Sequence, residues 1–204
     1  MPIKNEQHIL YNSAIGNKQK YYQDVDGLNY FSKNNNTIFC SDIIKFNLPN
    51  EYKDCDFLYA DPPYPQGFKI FEERAKITKK RTYNEFVNAL NKIILNFKKP
   101  IFMTVGKILL KKLIKPKQII PINFSIHNST VDLAIWNYYI QEKIESTNNL
   151  MKYLGLRFDK MGDFCCGYGD NIERFLLNGG KKFVASDLDS KCIAILKKRL
   201  FHDF

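Results

Sequence analysis

The stretch Cys55-Asp56-Phe57-Leu58-Tyr59-Ala60-Asp61-Pro62-Pro63-Tyr64 decides how the chain is read. Its first six residues form a short apolar, aromatic-rich run of the length a buried strand needs. Proline has no backbone N–H and cannot continue a central strand, so the strand is expected to stop at Asp61. This leaves a carboxylate, the Pro62 carbonyl and the Tyr64 ring on a stiff support at a strand's carboxyl end. In open α/β sheets that edge is where ligands bind.

Those groups suit one task, the gripping of an exocyclic amino group on a flat heterocycle. Asp61 and the Pro62 carbonyl can each accept one amino hydrogen, with Pro63 stiffening the turn, while Tyr64 stacks on the ring. A plain Asp-Pro-Pro turn that only ends a strand is the alternative. A second motif is needed to choose between them.

The 204 residues suit one α/β domain, or a domain with a small appendage, and 45% apolar content supports a core. No run of about 18 apolar residues suggests a membrane span. The N-terminus, Met1-Pro2-Ile3-Lys4-Asn5-Glu6, does not read as a signal peptide. Cys40, Cys55, Cys165, Cys166 and Cys192 show no paired metal spacing and read as reduced thiols of a cytosolic protein. The net charge is +10, and residues 1–141, with 20 Lys and Arg against 12 Asp and Glu, hold +8 of it. A polyanionic partner is therefore expected to meet the first two thirds of the chain.

Residues 1–36 are polar with no convincing period and are read as an N-terminal arm or extension; residues 37–204 are read as a single domain. Thr37–Cys40, the run before Asp61, and Ile101–Val105 read as strands. Pro65 to Thr82 is expected to be a long basic loop, whose Lys69, Arg74, Lys76, Lys79, Lys80 and Arg81 suit phosphate contacts. Tyr83–Phe97 has helical spacing, Lys107–Lys115 reads as a short basic helix, and Glu142–Leu154 as a surface helix. Gln118–Phe124 and Val131–Ile140 predict an antiparallel hairpin, because so few residues leave no room for a crossover helix. His127 falls in its loop.

The second motif lies in the C-terminal unit. Leu156–Phe164 leads into Cys165-Cys166-Gly167-Tyr168-Gly169-Asp170, and a helix through Ile172, Phe175, Leu176 and Leu177 follows. Gly-x-Gly between strand and helix lets backbone approach a ligand closely. Asp187 ends the next strand about twenty residues on, where doubly wound folds hold a ribose diol. The third glycine of a dinucleotide fingerprint is missing. A nucleoside without a pyrophosphate, such as S-adenosylmethionine, therefore fits better than NAD.

Together these motifs resemble the amino-group DNA methyltransferases of the permuted β type, in which Asp-Pro-Pro-Tyr precedes the cofactor motif. Asp163-Phe164-Cys165-Cys166-Gly167-Tyr168-Gly169 is similar to that family's Asp-Pro-Phe-x-Gly-x-Gly. The resemblance covers most of residues 37–204. It implies a Rossmann-like α/β fold, mostly parallel with an antiparallel hairpin and in circularly permuted motif order. It also implies S-adenosyl-L-methionine as cofactor, held by Asp42, Asp163, Phe164, Cys165, Gly167, Gly169, Asp187 and Leu188. Asp61, Pro62, Pro63 and Tyr64 would then be catalytic, with N6 of a flipped-out adenine in double-stranded DNA as acceptor. No metal is implied. With no large recognition segment in view, sequence choice is expected from the 65–82 loop, the 107–130 region, the N-terminal arm, a homodimer mate or a specificity partner. RNA adenine, DNA cytosine N4 and a non-catalytic nucleic-acid-binding subunit are the alternatives; Tyr64, where RNA enzymes of this order carry tryptophan, favours DNA.

Overall fold

The computed structural model describes residues 19–23, 29–45, 48–124 and 129–201. Residues 1–18, 24–28 and the loop histidine His127 lie outside them. Nine strands are described. These are β1 (Gln19–Gln23), β2 (Asn29–Lys33), β3 (Asn36–Cys40), β4 (Phe57–Ala60) and β5 (Ile101–Val105). They continue with β6 (Gln118–Phe124), β7 (Ser129–Trp136), β8 (Lys160–Asp163) and β9 (Lys182–Asp187). The helices are α1 (Pro65–Arg74), α2 (Tyr83–Asn96), α3 (Lys107–Leu110), α4 (Thr147–Gly155), α5 (Asp170–Leu177) and α6 (Ser190–Leu200).

Among the described residues the strands form one sheet in the order β1-β2-β3-β9-β8-β4-β5-β7-β6. The centre, β3-β9-β8-β4-β5, is parallel. An antiparallel pair closes each side: β2 and β1 at one edge, and the expected hairpin of β7 and β6 at the other. The sheet is thus parallel at its centre only, because the sequence between β1 and β2, between β2 and β3, and between β6 and β7 is too short for a crossover.

Alternation along β4 shows how the layers are built. Phe57 and Tyr59 face a core shared with Leu150 and Leu154 of α4, Phe175 of α5 and Leu196 of α6. Leu58 and Ala60 face the opposite core, with Phe68 of α1, Leu90 and Ile94 of α2 and Leu109 of α3. With period two and helices on both faces, every position of β4 is buried. This is the doubly wound α/β arrangement.

Several expectations need correction. The stretch 65–82 is not one loop, because its first ten residues form α1: Pro65 fits the first helical turn, and Phe68 is buried beneath it. Residues 142–146 are not helical; Ser146 caps α4 by accepting from Asn149 N at 3.2 Å, and α4 buries Leu150, Met151 and Leu154 rather than lying on the surface. Helix α3 stops at Leu110 rather than Lys115. Residues 19–23 and 29–33, where no period is readable, are the two strands that extend the sheet edge.

Two contacts fix the strand ends that matter. Tyr52, in the 3₁₀ turn Asn50–Asp54, donates to the Asp163 carbonyl at 2.9 Å and lies 2.7 Å from Ser186 Oγ. Its ring passes Gly162, where a Cβ would sit 2.7 Å from Tyr52 Cδ1. No described helix is long and apolar enough to cross a membrane.

Candidate active site

The switch point of the sheet lies between β8 and β4. From β8 the chain crosses through α5 to β9 on one side; from β4 it crosses through α1 and α2 to β5 on the other. A crevice opens at the carboxyl ends of two such strands. A cavity of about 460 Å³ fills it, lined on one wall by Asp61 and Pro63 and on the other by Phe164, Cys165, Gly167, Asp187 and Leu188. Two loops more than a hundred residues apart in sequence therefore share one pocket.

On the β4 wall, Asp61 is pushed up from 3.8 to about 6 by burial, and a hydrogen bond from the Thr104 hydroxyl partly offsets the rise. Thr104 sits on β5, where its Oγ1 also lies 3.1 Å from the buried Tyr59 hydroxyl. Pro62 is buried, and the Pro63 carbonyl accepts from Tyr83 Oη at 3.1 Å. Tyr64 holds the N-cap position of α1 and is 42% exposed. It lies outside the cavity lining but near enough that the Asp61 charge adds to the burial that raises its phenol.

The β8 wall is a tight backbone turn. Gly167 and Gly169 have φ of +51° and +84°, the left-handed region that disfavours side chains. At Gly169 a Cβ would also strike Leu196 Cδ1 at 2.1 Å; at Gly167 it would meet open space. Asp187 holds the turn, accepting from Gly167 N and Asp189 N at 2.9 Å each. Asp189 caps α6 by accepting from Lys191 N.

Asp163, 1% exposed, accepts from Cys165 N at 3.4 Å. Burial raises the Asp163 and Asp187 carboxyls; the Asp187 charge and then that of Asp61 push Asp163 further. Burial also pushes the Cys165 and Cys166 thiols up, which keeps them protonated rather than nucleophilic.

Of the eight residues expected to hold a cofactor, Asp42, Phe164, Cys165, Gly167, Asp187 and Leu188 line the cavity; Asp163 and Gly169 do not. Of the six basic residues expected to meet phosphate, Lys69, Arg74, Lys76, Lys79 and Lys80 are exposed. Arg81 is different. It turns inward to line the cavity, its side chain 6% exposed, and pairs with both Asp42 and Glu72, the latter at 2.6 Å. Sequence reading missed Ile43 and Ile44 after β3, Phe68 and Phe71 on α1, Phe86 on α2, and Tyr168, Asp170 and Asn171. The Phe68/Phe71 spacing of three was the one available signal.

No protein-family model and no curated protein sequence matches the chain. Solved structures do. M1.HpyAVI is similar at 15% identity and a TM-score of 0.47, with 80% of this chain and 97% of that one covered. Its S-adenosylmethionine complex gives 16%, 0.46, and 80% and 98%. TTHA0409 of Thermus thermophilus, a candidate DNA modification methylase complexed with S-adenosyl-L-methionine, gives 11%, 0.43, and 80% and 93%.

Proposed function

We propose that this chain is an S-adenosylmethionine-dependent DNA methyltransferase that acts on the exocyclic amino group of adenine, N6. One observation carries the reading: Asp61 and the Gly167–Asp187 turn, at the ends of the paired parallel strands β4 and β8, line a single cavity. Residues 37–204 would form the catalytic domain, with β1 and β2 added to its edge.

The residues present fit the cofactor. The open space in front of Gly167 leaves room for a nucleoside against bare backbone. Asp187 lines the cavity and would hold the ribose, and Phe71, Phe86, Ile43 and Ile44 offer apolar walls for a flat base. The charges of Asp187 and Asp61 raise the proton affinity of Asp163, and such a carboxylate-rich pocket favours a positively charged ligand such as a sulfonium. When bound, S-adenosylmethionine supplies an activated methyl group for direct transfer to the amino nitrogen.

The chain's own part is positioning. Asp61 and the Pro62 carbonyl accept the two amino hydrogens, and Tyr64, exposed outside the cavity, stacks on the flipped base. Holding two reactants in register can supply roughly 7–11 kcal/mol of a barrier. With its carboxyl near 6, Asp61 is mostly ionised at neutral pH yet basic enough to take the proton the amino group releases. Lys69, Arg74, Lys76, Lys79 and Lys80 would meet the phosphate backbone, while Arg81, held inward, would not.

Tritiated S-adenosylmethionine offered with duplex DNA and with RNA in parallel tests the assignment. Label is expected in DNA; label only in RNA would move the substrate class, and label in neither would overturn the reading.

A further inference from the structure

Gly106 closes β5 and stands at the N-cap of α3 with φ −77° and ψ 156°. Any residue adopts that conformation, so the backbone does not require glycine there. The helix start does not favour it either, since serine, threonine, aspartate or asparagine would cap better. What requires it is Tyr64. A Cβ on Gly106 would lie 2.7 Å from Tyr64 Cε1 and 3.0 Å from Cδ1, and touch no other group so closely. Tyr64 is 42% exposed, so its ring has room to swing outward from an added methyl and leave the sheet undisturbed.

We infer that Gly106 is a positioning residue: the missing side chain at the end of β5 seats the Tyr64 ring against the backbone, in the attitude that stacks on the target base. The inference rests on the methyltransferase reading above. Asp61 and Tyr64 come from one strand end, but the ring's attitude is set by the neighbouring strand. This couples the stacking platform to the Thr104 end of β5, which donates to Asp61.

The test compares wild type, Gly106→Ala and Gly106→Ser, each with and without Tyr64→Ala. The readouts are thermal stability, cofactor affinity by calorimetry and kcat/KM for duplex DNA. Both Gly106 variants should lose about 5- to 150-fold in kcat/KM for DNA, the worth of one base stack, with cofactor affinity unchanged. Gly106→Ser should match or exceed wild-type stability through its better cap and still show the loss, which a purely structural role for Gly106 would not produce. In the Tyr64→Ala background neither change should cost anything further. Wild-type kcat/KM in either variant, or an equal loss without the Tyr64 ring, overturns the inference. A wild-type chain that methylates no DNA would defeat the methyltransferase reading itself. In that event ¹⁹F NMR of 3-fluorotyrosine incorporated at position 64 decides the packing: a resonance that moves on Gly106→Ala supports the seat, and an unmoved one overturns it.

Discussion

Asp61 carries its charge where charge is costly. Its carboxyl is raised from 3.8 to about 6 by burial, against the lowering effect of Thr104. If the ionised form is the working one, methyl transfer should climb between pH 5 and 7 with an inflection near 6. Thr104→Val, which removes the donor that favours the carboxylate, should move that inflection upward; a pH–rate profile reads both. The same shift has a stability sign. The folded state binds this proton more tightly than the unfolded chain, so stability falls as pH rises from about 4 to 6. Asp61→Asn should therefore be more stable than wild type at pH 8 by up to about 3 kcal/mol, the difference vanishing below pH 4. Urea denaturation at the two pH values checks it.

At the scale of elements, the cavity is closed from above by what α1 and the linker after it contribute. Arg81 leaves the linker, lines the cavity and binds Asp42 after β3 and Glu72 on α1, all three side chains under 20% exposed. Its removal strands two carboxylates away from water. Arg81→Ala should cost about 3–5 kcal/mol, and Arg81→Lys should recover only part, since lysine cannot span both acids with a planar fork. Chemical denaturation measures the loss; a cost under 1 kcal/mol would mean the pairs are solvated. The sequence made β4 and β5 legible because strands covered on both faces are nearly continuous apolar runs, while β8 and β9 were legible from the Gly-x-Gly turn after β8 and the Asp187 that ends β9. It hid α1, where Gly67 and four charged residues mask a helix that buries little besides Phe68. It hid β1 and β2 for a different reason, since polar edge strands have no apolar period to read. The turn residues Gly167, Gly169 and Asp187 could be named from spacing alone. The inward Arg81 could not, because its partners lie 39 and 9 residues away and pairing of that kind leaves no local pattern.

For the whole molecule, the charge excess of residues 1–141 leaves lysines exposed beside the cavity, with Lys79 and Lys80 on the linker between α1 and α2. Affinity for duplex DNA should fall steeply with salt. Replacing Lys79 and Lys80 by alanine should lower the slope of log K against log salt by about 0.9 for each phosphate the chain no longer neutralises, as fluorescence anisotropy would record; Gly106→Ala should leave that slope alone. On the proposed reading, the basic rim and the Tyr64 ring would meet the polyanion, and Asp61 and the Gly167 turn, which line one cavity, would meet the nucleoside. Duplex DNA incubated with S-adenosylmethionine and the wild-type chain or Asp61→Ala, then digested to nucleosides and weighed by mass spectrometry, tests it directly. N6-methyldeoxyadenosine with wild type and none with Asp61→Ala, at undiminished cofactor binding, is the predicted result; no methylated base, or equal methylation by both proteins, would contradict it.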